Sequence, residues 1–230
     1  MLTLEDLLIR QGDFTLRASM EIQGPGIVAV IGPSGAGKST LLAALAGFVT
    51  PEAGRILWDG RPLTGLPPAQ RPMAMLFQDN NLFPHLTAAQ NVALALTRRA
   101  RPTAAQQEEV AQALARVGLE GLGDRKPGRL SGGQQGRVAL ARASLQRRPV
   151  LLLDEPFAAL GPAMKADMLD LVAELSAAQG MLVLMVSHDP RDARRVAGRT
   201  ILVAEGRADP PRDTSALFDD PPPALAAYLG

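Results

Sequence analysis

The 230 residues suffice for one substantial hydrophobic core, or for one core that carries an inserted subdomain. Hydrophobic residues at 47% and charged residues at 20% exclude a disordered chain, and a net charge of +1 leaves no bulk field to draw in nucleic acid or anionic lipid. Cysteine is absent, which excludes disulfide frameworks, thiolate metal sites and cysteine nucleophiles and fits a reducing compartment.

The opening residues MLTLEDLLIR alternate and carry acids early, unlike a secretory leader. Phe14, Leu16, Ala18, Met20 and Ile22 alternate with mostly polar residues, the period of a half-buried strand. Gly26–Ile31 is a continuous apolar run, as expected of a strand covered on both faces. A glycine-rich turn follows, then helical spacing over Lys38–Ala46 that Gly47 stops. Residues 73–77 (MAMLF), 149–154 (PVLLLD), 181–186 (MLVLMV) and 200–204 (TILVA) read as further buried strands. These runs have strand length and are too short to span a bilayer, so a membrane connection would go through a partner. Strands alternating with helical segments predict an α/β core with a mainly parallel sheet.

Residues 79–145 carry no strand pattern. Three helix starts there share the capping-box signature, in which a hydroxyl and a glutamine satisfy orphan amides reciprocally: Thr87 with Gln90, Thr103 with Gln106, and Ser131 with Gln134. The expected organisation is a single domain over 1–230. Residues 1–78 and 146–230 would form the α/β core, and 79–145 an inserted helical subdomain. The C-terminal stretch, with Pro210-Pro211 and prolines at 221–223, is expected to be a loose tail around one short helix. No internal repeat or second copy of these motifs is present.

Gly32-Pro33-Ser34-Gly35-Ala36-Gly37-Lys38-Ser39 fits the P-loop pattern between a buried strand and a helix. Glycines let the backbone amides fold around a phosphate, and the helix N-terminus adds a favourable partial charge. Lys38 reaches the β- and γ-phosphates, and the Ser39 hydroxyl suits magnesium. Asp154 and Glu155 end a buried strand, where open α/β sheets bind ligands. Alone such a pair is more often a solvated edge or a cap. Beside a P-loop, Asp154 suits an outer-sphere magnesium contact and Glu155 a base that polarises water. In Leu130-Ser131-Gly132-Gly133-Gln134 the serine caps a helix, yet two glycines directly after a cap cost about 1 kcal/mol each relative to alanine. Bare amides there would let an anion approach closely.

With the P-loop and this second motif together, the chain resembles the ATP-binding subunits of ABC transporters over essentially its whole length. The resemblance implies a P-loop NTPase (RecA-like) α/β core with an N-terminal antiparallel β subdomain and an inserted all-helical subdomain. It implies ATP and Mg²⁺ as ligands, with Thr40 completing the phosphate cradle. Gln78 would contact the metal and link the core to the insertion, and His188 would contact the γ-phosphate. Two copies would dimerise head to tail, so that Ser131, Gly133 and Gln134 of one close over ATP held by the other. The implied partners are an integral membrane permease and, indirectly, a periplasmic substrate-binding protein, with no nucleic acid. The implied location is peripheral, on the cytoplasmic face of a bacterial inner membrane. His85 is read as a packing or loop residue.

The chain departs from the family pattern at three places. Gln11, before Gly12, stands where the family has an aromatic ring for adenine, with Phe14 and Arg10 as the nearby substitutes. Gly161 stands where the family has an Asp that contacts across the dimer, and Gly136 where glutamine is frequent. Residues 46–51 (AGFVTP), 67–72 (PPAQRP) and 75–87, with Asn80-Asn81-Leu82-Phe83 at its centre and continuing to Gln90-Asn91, most resemble the branch that imports thiamine or thiamine pyrophosphate. The run Phe83-Pro84-His85-Leu86-Thr87 alone also suits importers of anions, iron or polyamines. Soluble family members in DNA repair or translation usually carry two cassettes or a coiled-coil insertion, and neither is seen here.

Overall fold

The computed structural model describes residues 1–97 and 102–229. The chain begins with β1 (Leu2–Gln11), β2 (Phe14–Ile22), β3 (Gly26–Ile31) and α1 (Lys38–Ala46). There follow β4 (Ala53–Trp58), β5 (Arg61–Pro62) and β6 (Met73–Leu76). Three helices come next: α2 (Ala88–Ala93), α3 (Ala104–Arg116) and α4 (Gly132–Leu145). The second half holds β7 (Val150–Asp154), α5 (Pro162–Gln179), β8 (Leu182–Val186), α6 (Pro190–Val196) and β9 (Arg199–Ala204). It closes with β10 (Arg207–Ala208), β11 (Arg212–Asp213), α7 (Thr214–Asp219) and α8 (Pro223–Leu229).

The strands form one mixed sheet in the order β5-β4-β1-β2-β10-β9-β3-β8-β7-β6. Its N-terminal part is antiparallel: β1 pairs with β2 on one side and β4 on the other. The register of β1 shifts between Leu4 and Leu7. Buried positions accordingly change from Leu2 and Leu4 to Leu7 and Ile9, a change of parity that strict alternation cannot make without a bulge. The other part is parallel, with β3 between β8 and β9 and β7 between β8 and β6.

Parallel strands are covered on both faces, and here each face has its own core. Val28, Val30, Leu152, Leu184 and Val186 face α1 and the antiparallel strands. Ile27, Ala29, Leu151, Leu153, Val183 and Met185 face α4, α5 and the other helices. Each apolar run therefore serves two cores, which is why none of them alternates.

Between β6 and β7 the described residues form α2, α3, α4 and one short 3-10 turn, Pro127–Arg129. All three capping boxes form as the sequence pattern requires. The C-terminal stretch corrects an expectation. It is no loose tail: β10 lies between β2 and β9 within the sheet, β11 pairs with β9, and α7 and α8 bury Leu217, Phe218 and Leu225 against the helical core. The prolines at 221–223 start a helix, where a missing N–H costs nothing, instead of marking disorder.

Candidate functional site

The strand register assembles one edge. Asp154 pairs with Val186, and Val30 also pairs with Val186, so the carboxyl ends of β3, β8 and β7 lie side by side. The P-loop leaves β3, His188 follows β8 by two residues, and Asp154 ends β7 with Glu155 after it. Leu76 of β6 pairs with Leu153, which puts Gln78 beyond the next strand end, exposed to solvent. The predicted site positions at four strand ends are thus set along one edge by parallel pairing.

The loop before α1 is built from close approaches. A β-carbon on Gly37, at φ 103°, would lie 2.5 Å from the Phe14 ring, so only glycine lets the β2 strand pack against the loop there. Gly37 gives α1 no side-chain cap, which leaves the first-turn amides available to an anion. The buried Lys38 ammonium donates to the carbonyl oxygens of Gly32 and Pro33, each at 2.8 Å. Burial pushes its pKa down, and the charges of Glu155 and Asp154 oppose that. Ser39 Oγ donates to Asp154 Oδ1 at 2.8 Å. Burial raises the Asp154 pKa, with the Ser39 hydrogen bond acting the other way.

Glu155 takes a left-handed backbone, φ 46°, and its N–H reaches the Val186 carbonyl at 3.3 Å. That turn aims the carboxylate at His188, whose Nδ1 lies 3.4 Å from Glu155 Oε2. The imidazole is mostly exposed, its side chain 57% accessible. Its loop is held by neighbours. Ser187 Oγ donates to Asp192, and the Asp189 N–H donates to Ser187 Oγ at 3.1 Å. Lys165 of α5 reaches Asp192 at 2.6 Å and Asp189 at 3.6 Å.

The hard-oxygen pair Ser39 and Asp154 suits magnesium, which takes oxygen ligands and keeps several from phosphate and water. Among the described residues no group of three or more His, Asp or Glu side chains could hold a metal by itself. Such a thin protein donor set fits an ion that arrives with its phosphates.

Ser131, Gly133 and Gln134 lie elsewhere. Ser131 Oγ accepts from the Gln134 N–H at 3.3 Å, and the Ser131 N–H donates to Gln134 Oε1 at 3.0 Å. With Arg137, Gly161 and Met164 they line an open cleft of about 640 Å³. No hydrogen bond or ion pair among the described residues joins them to the phosphate loop. A β-carbon on Gly133 would lie 2.1 Å from Met164 Sδ. Intrachain packing therefore already requires this glycine, a reason additional to the approach of an anion.

Neither substitute for the adenine ring is free. Phe14 packs on Gly37 and Leu16, and Arg10 is paired with Glu52 at 2.6 Å. His85 stands edge-on to Phe83, with ring centroids 5.9 Å apart. Two anchors escaped sequence reasoning. Arg142 of α4 donates to the carbonyls of Asn80 and Asn81, both left-handed, and fully buried Asn91 binds the backbone of Phe83, Leu86 and Thr87. Together they stiffen the loop after Gln78. The Asn80-Asn81 pair was the only signal, since asparagine tolerates the left-handed region.

The family model described as ABC transporter matches residues 16–158. The thiamine import ATP-binding protein ThiQ of Cereibacter sphaeroides is 64% identical over the full length of both chains. The protein of that name from Ruegeria sp. (strain TM1040) is 60% identical, again over all of both chains. That from Shigella boydii is 49% identical over 90% of this chain and 89% of its own. A dimeric structure of the ATP-binding cassette MJ0796, in a post-hydrolysis state bound to ADP and Pi, superposes with a TM-score of 0.79. It shares 29% identity and covers 93% of this chain and 99% of that one.

Proposed function

The chain belongs to the ABC transporter family as an ATP-hydrolysing subunit, and from that premise we propose that it drives thiamine or thiamine pyrophosphate import. The observation that carries the cargo is identity of 64% and 60%, end to end, to two proteins named for thiamine import. The fully structured loop after Gln78, which holds the Asn80-Asn81-Leu82-Phe83 run, supports the same reading as a rigid surface offered to a permease.

In this reading the residues divide the work as follows. Residues 32–40 bind the triphosphate, with Lys38 giving up its two carbonyl partners for phosphate oxygens. Ser39, Asp154 and Gln78 would hold magnesium, which would supply positive charge beside the phosphates. Glu155 accepts a proton from the attacking water, and its left-handed backbone keeps the carboxylate off the strand axis. His188 stabilises charge on the phosphate side. Ser131, Gly133 and Gln134 of a second copy complete the site, a role supported by the dimeric cassette that superposes on the chain. A periplasmic binding protein would deliver the cargo, and the chain would sit on the cytoplasmic face of the inner membrane.

The test is uptake of labelled thiamine in cells whose only copy carries Lys38→Ala. Uptake is expected to vanish. Undiminished uptake overturns the cargo, whereas failure of the purified wild-type chain to bind Mg-ATP overturns the site.

A further inference from the structure

We propose that Tyr228 is a positioning residue for His188, its phenol holding the loop backbone so that the imidazole faces Glu155. The contact is direct: Tyr228 Oη donates to the carbonyl oxygen of His188. It reaches across 40 residues of sequence, from the last helix to the loop after β8. Helix α8 is seated for this. Leu225 is fully buried, and the Pro222 carbonyl accepts from the N–H groups of Leu225 and Ala226 at 2.9 Å each.

The geometry gives the contact a purpose. The His188 ring is mostly exposed, so its side chain packs against little that would choose its rotamer. Its orientation must come from the backbone. Ser187 and Asp189 are tied to α5 and α6 through Asp192 and Lys165. The phenol, from α8, fixes the carbonyl of the residue between them. Burial raises the Tyr228 pKa, and the nearby charges of Asp189 and Glu155 raise it further, so the group stays a neutral donor.

This inference rests on the reading of His188 as a group that acts on the phosphate, and the experiment separates the two. Tyr228→Phe in the full chain keeps the ring and removes the hydroxyl. The expected result is a kcat for ATP hydrolysis lower by about three- to tenfold, the size of one hydrogen bond, with KM unchanged and the melting temperature lowered by no more than a few degrees. The chain has two histidines, so their imidazole NMR signals are readily assigned; that of His188 is expected to move and that of His85 to stay. An unchanged kcat overturns the proposal. So does a lower kcat accompanied by a lower melting temperature and an unmoved His188 signal, which would mark a packing defect. His188→Ala measured alongside is expected to be slow. If it turns over at the wild-type rate, the reading of His188 itself fails, and that outcome is distinct from a silent Tyr228→Phe.

Discussion

The phosphate edge and the start of α4 are built by opposite means. At the phosphate edge the partners are far apart in sequence: Ser39 and Asp154 are 115 residues apart, and only parallel pairing of β3, β8 and β7 brings them within 2.8 Å. At Ser131 every polar partner lies within a few residues, and the helix start satisfies itself. The first region is a constellation with its internal contacts made. The second is a finished cap facing an open cleft, with Met164 lying over Gly133. A region that completes itself locally and still leaves Ser131 and Gly132 exposed beside an open cleft has surface to offer to another molecule.

Breaking the phosphate edge is expected to have the largest effect. Glu155→Gln removes the proposed base and leaves the cradle, so turnover is expected to fall roughly 10²–10⁴-fold while ATP still binds. Size-exclusion chromatography is expected to show an ATP-dependent dimer accumulating. Turnover near that of the wild type would show that Glu155 is not the base.

The contrast between the regions is sharpened by a pair of changes read on the isolated monomer. Lys38→Ala deletes the main counter-charge to the phosphates and is expected to abolish ATP binding to the monomer. Ser131→Arg is expected to spare that binding and to block ATP-driven dimerisation, because in the proposed site Ser131 serves the neighbouring copy. Equal loss of monomer binding in both variants would contradict a shared site.

Gly161 tests the cleft more gently. It is the N-cap of α5 with no side-chain cap, its backbone is extended, and a β-carbon there would meet nothing within 4 Å. Gly161→Asp is therefore free of strain. As an N-cap the carboxylate would add only a few tenths of a kcal/mol over glycine. Across the dimer it is expected to raise basal ATPase activity several-fold and to tighten the ATP-driven dimer. Rate against protein concentration for both variants decides; coincident curves would mean that glycine here is neutral.

Smaller effects distinguish the scaffolds of the two regions. Next to His188, Asp189 caps α6 and pairs with Arg191, which holds its pKa down at about 2 against an ordinary 3.8. A depressed carboxylate contributes stability above its unfolded pKa and loses it as pH falls through the folded one. That contribution is expected to vanish between about pH 4 and pH 2. Asp189→Asn is expected to flatten the stability curve across that window in acid titration followed by circular dichroism, and an unchanged slope would remove Asp189 as its source. On α4, a β-carbon at Gly136 would lie 3.5 Å from Met168 Cε, an ordinary contact. Gly136→Ala is expected to stabilise the chain by about 0.5–1 kcal/mol through helix propensity, read as a higher melting temperature with unchanged turnover.

Much of this molecule could be read without coordinates, for reasons that differ by region. The α1 boundaries, the buried strands and all three capping boxes depend on residues within a turn or a strand of one another, so the sequence carries their cause directly. The P-loop and the Ser131 motif were legible for the same reason. The bulge in β1 was written in the spacing of Leu4 and Leu7, but nothing local said that both leucines face one core. The fate of the C-terminal residues was misread because prolines signal a loop and a helix start alike, and burial of Leu217, Phe218 and Leu225 settles which.

What the sequence determined by itself is the set of short-range devices: a phosphate-binding turn, strand-terminal carboxylates and capped helices, each encoded within a few residues. Tertiary structure alone decided which of them meet. It set Ser39 on Asp154 and His188 on Glu155, brought Met164 over Gly133, and carried Tyr228 to the His188 backbone. Those pairings depend on strand order and on the seating of α5 and α8 against a shared core. Both are properties of how the whole chain buries its apolar surface, and no local window of sequence contains them.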